Sequence, residues 1–540
     1  MTRHRATARS PRPVVLLAEE LSPATVEALG WDVEVRRVDG ADRAALLPAL
    51  AEAEAVLVRS ATLMDREAIA AAPRLKVIAR AGVGLDNVDI PAATEAGVLV
   101  ANAPTSNITS AAELAVGLLL AVARNIPQAD AALKDGAWQR SRWSGVELSG
   151  KSLGVVGLGR IGTLVAQRMA VFGMDVAAYD PYVTAAGAAA LGVRLLSLDE
   201  LLAQSDFLTV HLPRTPETTG LIGFDALRKV KPTVRIVNAA RGGIVDENEL
   251  YAALKEGRVA GAGLDVYATE PCVDSPLFGL DNVVVTPHLG ASTTEAQEKA
   301  GIAAAHSVRL ALAGEHVPDA VNVQGARVPE AVQPWLPLSE RLGGVLTRAA
   351  GGVPARLEVQ LYGEIAAEDA SILELGALKG VLAEVGAGVV SHVNAPLIAL
   401  ERGLTSRLTT HPGGDSHRSV VALRGIFADG RVVTVGGTLA GVRLQEKLVE
   451  VFGHELELPL TGELAFLRYP DRPGAVGLIG GELADEGVNI AAMQVARDAS
   501  GTTALAGLCV DAPVPPTALS RAAAAVHADH SWTVPAPARR

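Results

Sequence analysis

The chain has 540 residues, of which 49% are hydrophobic and 20% are charged. This composition is typical of a folded globular protein, and the length predicts three or four domains rather than one core. Sixty acidic residues outnumber 48 basic ones, which gives a formal net charge of -12. Such a charge argues against general binding to nucleic acid or to an anionic membrane, and we expect neither partner. The net charge does not exclude a small anionic ligand, because such a ligand needs only a local basic pocket.

The N-terminus, the cysteines and the apolar runs predict a cytoplasmic protein. Residues 1–12 contain four arginines and no apolar signal segment follows them, so we expect a disordered tail. Cys272 and Cys509 lie far apart, which predicts neither a disulfide nor a metal site and suits a reducing compartment. The longest apolar run, 114–123, has ten residues, whereas a bilayer takes about 20. We interpret residues 110–124 as a buried or interface helix.

Short apolar strands alternate with helical stretches in two successive series. The first series gives predicted strands at 14–17, 55–58, 76–79 and 98–100. The second gives predicted strands at 152–156, 175–179, 206–210, 234–238, 261–265 and 282–285. Alternating βα patterns predict parallel sheets covered by helices, so the fold class is α/β with two Rossmann-like, doubly wound domains.

The rest of the chain divides into a returning segment and two smaller units. A helix predicted near 292–314 and the segment 317–323 indicate a return to the first unit, before a proline-marked linker. Residues 340–458 mix strand and helix signals. Residues 462–535 predict the order βαββα with a closing strand near 531–534, as in ferredoxin-like folds.

A glycine-rich loop, Gly157-Leu-Gly-Arg-Ile-Gly162, follows one predicted strand and opens an apolar helix. Gly157 permits the tight turn, Gly159 lets the backbone approach a pyrophosphate, and Gly162 allows close helix packing. The next strand ends in Asp180, whose carboxylate can bind ribose hydroxyls and repel a 2′-phosphate. The loop therefore predicts a dinucleotide site and favours NAD over NADP. The alternative is a structural turn in another α/β protein.

Polar residues after three later strands form a candidate catalytic set. Arg241 lies in a glycine-rich loop and can clamp a carboxylate in bidentate fashion. His288 carries an imidazole suited to removing a hydroxyl proton, and Glu270 can orient that ring. Asp265 ends a strand, where it could meet the nicotinamide end of a cofactor or cap a turn. Taken singly, each residue has a plain alternative as a surface ion pair, a loop acid or an ordinary histidine.

Upstream loops add cations and small polar groups at predicted strand ends. They are Arg59-Ser-Ala-Thr62, Arg80-Ala-Gly-Val-Gly84 and Asn102-Ala-Pro-Thr-Ser-Asn107. A negatively charged substrate could bind there, although each loop alone could be an ordinary βα connection. Residues 138–143 add two arginines and two tryptophans that suit a subunit contact or a substrate contact.

These motifs resemble those of the D-isomer-specific 2-hydroxyacid dehydrogenases. The resemblance spans residues 13–323 and rests on Gly157–Gly162, Asn238–Gly243, Leu264–Pro271 and Thr286–Thr293. The loops at 58–62, 80–89 and 102–104 resemble the branch that oxidises 3-phospho-D-glycerate to 3-phosphooxypyruvate with NAD, the first step of L-serine biosynthesis. Two other readings stay open: a related enzyme for 2-hydroxyglutarate, glycerate or lactate, and an NADH-sensing, corepressor-like protein without activity.

The resemblance implies a role for each candidate residue. His288 would be the base, Glu270 its partner, and Arg241 the residue that binds the substrate carboxylate. The cofactor would be lined by Val83, Gly157, Gly159, Arg160, Ile161, Gly162, Asp180, Thr215, Ala240, Arg241, Asp265, His288, Gly290 and Ala291. The phosphate or carboxylate of the substrate would meet Arg59, Ser60, Arg80 and Asn107.

The C-terminal motifs at 467–475 and 487–490 resemble an ACT regulatory domain. Tyr469, Asp471 and Asn489 match positions that bind serine at a subunit interface, so the resemblance implies L-serine as effector and a homo-oligomer, such as a tetramer. In the block before it, which resembles a family-specific intervening domain, Lys447 is a candidate to meet an anion. The predicted division is a tail at 1–12, a substrate-binding domain at 13–105 and 294–325, an NAD-binding domain at 106–293, an α+β intervening domain at 326–460, and the ACT domain at 461–540.

Overall fold

The computed structural model describes residues 12–323, 328–384, 390–413, 417–498 and 500–536, and it arranges their strands in four sheets. Most of the predicted N-terminal tail and the predicted boundary at 325 lie outside these residues. The exact domain boundaries therefore stay predictions. The α/β fold class is confirmed.

The first sheet is parallel and is formed near the start of the chain. Its elements are β1 Val14–Leu17, α1 Pro23–Leu29, β2 Glu34–Arg37, α2 Arg43–Leu50, β3 Ala55–Val58, α3 Arg66–Ala70, β4 Val77–Arg80, α4 Ile90–Glu95 and β5 Leu99–Ala101. The strand order is β2-β1-β3-β4-β5, a doubly wound order. β1 and β3 are buried along their whole length, as apolar strands between two helical layers must be. The sequence pattern does not predict β2, because this edge strand is charged and carries no apolar run.

The second sheet is also parallel and has seven strands. Its elements are α5 Ile108–Arg124, α6 Ile126–Lys134, β6 Ser152–Val156, α7 Arg160–Val171, β7 Asp175–Tyr179, α8 Ala185–Ala190, β8 Arg194–Leu195, α9 Leu198–Gln204, β9 Phe207–Val210, α10 Phe224–Leu227, β10 Arg235–Asn238, α11 Glu247–Lys255, β11 Gly261–Leu264 and β12 Val283–Val285. The order β12-β11-β10-β9-β6-β7-β8 is the Rossmann order with one added strand. It places the ligand crevice where the order reverses, at the carboxyl ends of β6 and β9. Helix α5 begins at Ile108, two residues before its predicted start.

The chain then returns to the first sheet. Helix α12 spans Thr294–Ala313, and its residues Ala304, Ala305 and Val308 pack into the same core cluster as Val15 and Leu17 of β1. Beyond it, the backbone N–H of Val321 donates to the carbonyl of Val100 at 2.8 Å. Residues 294–322 therefore cover the first sheet, as the sequence pattern indicated.

The last two sheets lie in the C-terminal part of the chain. The third has elements α13 Trp335–Ala350, β13 Arg356–Gly363, α14 Ile372–Ala383, α15 Ala395–Glu401, β14 Thr405–His411, β15 Ser419–Ile426, β16 Val432–Ala440, β17 Gln445–Val451 and β18 His454–Pro459. The fourth has β19 Glu463–Pro470, α16 Ala475–Ala484, β20 Ile490–Arg497, β21 Thr503–Val510, α17 Pro516–Val526 and β22 His530–Val534. The fourth sheet is antiparallel with the order β20-β21-β19-β22, which is the ferredoxin-like βαββαβ arrangement and includes the predicted closing strand.

In the part of the chain that the structure describes, no single helix is long and apolar enough to cross a membrane. Helices α5 and α6 together meet the length and composition criteria, but only as a pair bent by 63°.

Candidate active site

Three loops with polar side chains leave neighbouring strands of the second sheet. β10, β11 and β12 lie side by side and parallel, and they precede the loops of Arg241, Glu270 and His288 in that order. Because parallel strands end at the same edge of a sheet, these residues, which are distant in sequence, share one edge. The sequence reading predicted this grouping.

The His288 ring contacts the Glu270 carboxylate directly. Nδ1 of His288 lies 2.6 Å from Oε2 of Glu270, and Oε1 of the same carboxylate accepts a hydrogen bond from the Tyr267 backbone N–H at 2.9 Å. The carboxylate is thus fixed by its own loop and in turn orients the ring. This arrangement leaves Nε2 of His288 as the ring nitrogen available to a substrate.

The Arg241 loop packs tightly onto the loop that carries Glu270. A Cβ at Gly242 would overlap the backbone carbonyl of Tyr267, so only glycine fits at this contact. Asn238 Nδ2 donates to the carbonyl of Arg241 at 2.9 Å, which fixes the start of the loop. The loops of Arg241 and Glu270 therefore contact each other directly, and Glu270 in turn contacts His288.

Asp265 organises the His288 loop. Its buried carboxylate accepts hydrogen bonds from Thr286 Oγ1 at 2.6 Å and from the backbone N–H groups of Leu289 at 2.7 Å and Gly290 at 2.9 Å. Burial nevertheless raises the pKa of Asp265 above its usual value. These bonds match the turn-capping alternative, and a contact with nicotinamide stays a prediction.

Two guanidinium groups meet at Gly84. A Cβ at Gly84 would lie 2.6 Å from Arg241 Nη2, 2.9 Å from Asp86 Oδ2 and 3.1 Å from Arg80 Nη1. Burial and the charge of Arg241 lower the pKa of Arg80. Arg80 Nη1 donates to the Gly84 carbonyl and Arg241 Nη1 to the Ala240 carbonyl at 2.8 Å. Two like charges this close still attract an anion, and Asp86 balances them only in part from an exposed position.

Two of the other predicted substrate residues lie at the same edge of the first sheet, and the third directly precedes helix α5. Arg59 and Ser60 directly follow β3, whose neighbour β4 ends in Arg80. Asn107 precedes α5, and its side chain makes no capping hydrogen bond to that helix. Contacts of these side chains with a substrate stay predictions.

The geometry of the glycine loop fits a dinucleotide. Gly157 has a φ of 98°, and a Cβ at Gly162 would overlap the carbonyl oxygen of Gly157, so both glycines are needed to form the turn. A Cβ at Gly159, in contrast, would meet nothing within 4 Å. Helix α7 begins next to it without a side-chain cap, so backbone N–H groups are left for a phosphate.

Asp180 lies at the end of β7, as predicted, and is bound to the same loop. Its Oδ2 accepts from the Leu158 N–H at 2.8 Å and its Oδ1 from the Tyr182 N–H at 2.9 Å. A carboxylate can accept further bonds, so a ribose contact stays compatible with this geometry.

The remaining predicted cofactor residues lie in loops that follow strands of the two parallel sheets and in the first turn of α7. Val83 lies in the Arg80 loop, where its carbonyl accepts from Asn102 Nδ2 at 2.6 Å. Thr215 follows β9, and its hydroxyl interacts with Thr218 within its own turn. The others occupy the first turn of α7 and the loops of Arg241 and His288: Arg160, Ile161, Ala240, Gly290 and Ala291.

The sequence reading missed His211, which lies beneath the glycine loop. A Cβ at Gly157 would lie 2.7 Å from the His211 carbonyl oxygen, and the His211 ring nitrogen Nε2 lies 2.8 Å from Thr209 Oγ1. Burial lowers the pKa of His211 to about 4, so the ring is neutral at physiological pH. The one feature of the sequence that points to His211 is its position directly after strand β9, where site residues of such sheets lie.

The three predicted effector residues lie in the C-terminal unit and differ in their surroundings. Tyr469 is 2% exposed, and its ring lies in the core of the C-terminal unit. Asn489 is exposed at the turn before β20, and its N–H donates to Asp511 at 3.2 Å. Asp471 forms an ion pair with Arg497 at 2.7 Å. A contact of Tyr469, Asp471 and Asn489 with serine therefore stays a prediction.

The predicted anion contact of Lys447 is not supported by its surroundings. Nζ of Lys447 lies 2.8 Å from Oε2 of Glu457. Glu457 also lines a cavity of about 680 Å³ together with Glu450 and Glu455. Three carboxylates disfavour an anion there.

A Rossmann sheet, a histidine held by a carboxylate and converging arginines define an NAD-dependent 2-hydroxyacid dehydrogenase. In agreement, residues 116–290 match the family described as D-isomer specific 2-hydroxyacid dehydrogenase, NAD binding domain. Residues 331–452 match the D-3-phosphoglycerate dehydrogenase intervening domain. The solved TT0316 protein from Thermus thermophilus aligns with a TM-score of 0.53 and 36% identity, over 57% of this chain and 99% of that one.

Relatives that align over nearly the whole chain define the family more narrowly than the two domain matches do. The chain is 58% identical over 516 residues to D-3-phosphoglycerate dehydrogenase of Mycobacterium tuberculosis, which covers 96% of this chain and 98% of that protein. It is 56% identical over 517 residues to the protein of the same name from Mycobacterium leprae, with the same coverage. The chain belongs to the D-3-phosphoglycerate dehydrogenase family.

Proposed function

We propose that the chain oxidises 3-phospho-D-glycerate to 3-phosphooxypyruvate with NAD, the first step of L-serine biosynthesis. The observation that carries the proposal is the 58% identity to an enzyme of this name, which extends over nearly the whole of both chains. The site supports it, because Arg59, Arg80 and Arg241 offer more positive charge than the single carboxylate of an unphosphorylated hydroxy acid needs.

Arg241, His288 and Glu270 have separate roles in the proposed oxidation. Arg241 binds the substrate carboxylate and holds C2 near His288. Nε2 of His288 takes the proton of the C2 hydroxyl, while Glu270 keeps the ring oriented and stabilises the imidazolium that forms. Bound NAD supplies the hydride acceptor. Most of the rate gain comes from holding the reacting atoms in reach and from the fixed positive charge beside the developing carbonyl.

A paired measurement tests the assignment. The purified protein should form NADH from 3-phospho-D-glycerate, whereas His288→Ala should lose nearly all turnover and still bind NADH. Near-normal turnover in the variant would remove His288 from the mechanism. Absence of turnover in the unaltered protein on any 2-hydroxy acid, with tight NADH binding, would favour a sensing role instead.

Feedback by L-serine is the regulatory part of the proposal. Support comes from the ferredoxin-like C-terminal unit and from Asn489, which is exposed at a turn on its surface. Asn489→Ala should abolish serine inhibition and leave turnover unchanged. Asp485→Ala, an exposed change at the end of the preceding helix, serves as the control and should keep the inhibition. Equal serine sensitivity in both variants would refute the site.

We also propose a homo-oligomer, such as a tetramer, in the cytoplasm. Support for assembly comes from exposed apolar side chains on and after α6, namely Ile126, Leu133 and Trp138, the last being 77% exposed. Light scattering after size exclusion measures the mass directly, and a monomer would contradict the proposal.

A further inference from the structure

Glu19 lies at the carboxyl end of β1, next to β3, and contacts the Arg59–Thr62 loop through both carboxylate oxygens. Oε1 accepts hydrogen bonds from the Arg59 N–H at 2.7 Å, the Thr62 N–H at 3.1 Å and Thr62 Oγ1 at 2.9 Å. Oε2 accepts from the Ala61 N–H at 3.3 Å. One side chain therefore binds the loop at its first and last residues.

The opposite side of the loop is held by a donor. Asn87 Nδ2 donates to the carbonyl of Arg59 at 2.7 Å and to that of Thr62 at 2.6 Å. The buried Thr62 side chain also lies against Gly40, where a Cβ would overlap its hydroxyl. Acceptors from Glu19 and a donor from Asn87 thus fix both the N–H and the C=O groups of the loop ends.

The charge of Glu19 also acts on Arg80, because burial lowers the pKa of that guanidinium and the nearby carboxylate raises it. A carboxylate beside Arg59 and Arg80 also lowers the positive potential that is available to an anion. Within the described residues, its oxygens contact backbone N–H groups and a hydroxyl, and they form no ion pair with either arginine. Hydrogen bonds to a carboxylate are among the stronger ones, which suits a side chain that fixes a loop.

We propose that Glu19 is a positioning residue for substrate binding, whose carboxylate holds the 59–62 loop so that Arg59 and Ser60 face the anionic group of the substrate. The inference rests on the proposed function. It adds a residue that touches neither substrate nor cofactor, yet sets the affinity for the phosphorylated acid.

Steady-state kinetics of Glu19→Gln and Glu20→Gln test the proposal. Both changes remove one negative charge, but Glu20 is exposed and makes none of the loop contacts. Glu19→Gln should raise the KM for 3-phospho-D-glycerate by about tenfold, as expected when a binding group is misplaced, and change the KM for NAD less than twofold. Glu19→Asp keeps the charge and shortens the reach, so its KM should rise less. Glu20→Gln should match the unaltered protein.

The outcomes separate the two proposals. No turnover of 3-phospho-D-glycerate by the unaltered protein overturns the proposed function and this inference with it. Normal turnover with an unchanged substrate KM in Glu19→Gln overturns the inference alone. An equal rise in the KM for NAD overturns it as well, because that result indicates general loosening. If Glu19→Gln does not fold, Glu19→Asp decides, and an unchanged substrate KM there is the contradicting result.

Discussion

Glu270 holds His288 with one oxygen and its own loop with the other. Since Oε2 lies 2.6 Å from Nδ1 of His288 and Oε1 accepts from the Tyr267 N–H at 2.9 Å, the carboxylate cannot turn away from the ring without losing a second bond. Tyr267 also packs under Gly242, beside Arg241. The Tyr267 backbone therefore connects the proposed base, His288, with the proposed substrate-binding residue, Arg241.

Glu270→Gln should therefore lower kcat by roughly 10- to 100-fold. The amide keeps the size of the side chain, but it offers one acceptor oxygen where the carboxylate offers two, so either His288 Nδ1–H or the Tyr267 N–H loses its acceptor. Asp274→Asn makes the same charge change on an exposed residue of the same loop and should leave kcat within twofold. A Glu270→Gln variant with the kcat of the control would show that the contact is not used in turnover.

Protonation of His211 should reduce stability in weak acid. Burial lowers its pKa to about 4 in the folded state, against 6.5 for an unperturbed ring, so between these values the unfolded chain binds more protons. The contribution of neutral His211 to the free energy of unfolding is complete above about pH 6.5 and is lost as the pH falls toward 4. The free energy of unfolding should drop by about 2 kcal/mol more between pH 7.5 and 5 in the unaltered protein than in His211→Asn, measured by urea titration. Identical pH dependence in the two proteins would contradict this assignment.

Two glycines of the dinucleotide loop should respond differently to alanine. Gly159 has open space around its missing side chain, so Gly159→Ala should fold normally and raise the KM for NAD. Gly162→Ala places a methyl group against the Gly157 carbonyl and should lower the melting temperature by several degrees, since such overpacking costs about 1–3 kcal/mol. Thermal melts and NAD titrations of both variants distinguish these effects. A stable Gly162→Ala with normal NAD affinity would contradict the packing argument.

Asp86→Asn should improve substrate affinity. The Asp86 carboxylate lies 3.9 Å from Nε of Arg241 and partly balances the two arginines, so its loss raises the positive potential of the site. The KM for 3-phospho-D-glycerate should fall by about two- to fivefold at low ionic strength, and the difference should shrink in salt. An increase in KM would mean that Asp86 positions Arg241 rather than competing with the substrate.

The sequence predicted most of the fold because its strands are apolar runs between clear breaks. Such patterns predict both parallel sheets and the ferredoxin-like unit, whereas the charged edge strand β2 has no apolar run to indicate it. The grouping of Arg241, Glu270 and His288 followed from strand ends. Contacts made by Glu19 and His211 could not be predicted, because they depend on which loops become neighbours in the folded chain. The burial of the Tyr469 ring likewise depends on how the C-terminal unit packs, which its motif does not specify.

The most direct test compares kcat/KM for 3-phospho-D-glycerate and D-glycerate in the unaltered protein, because these substrates differ only in the phosphate. If Arg59 and Arg80 bind that phosphate, the ratio should exceed about 100 in favour of the phosphorylated acid, since charge-assisted hydrogen bonds contribute about 1.5–3 kcal/mol each. A ratio near one, or a preference for D-glycerate, would contradict the account.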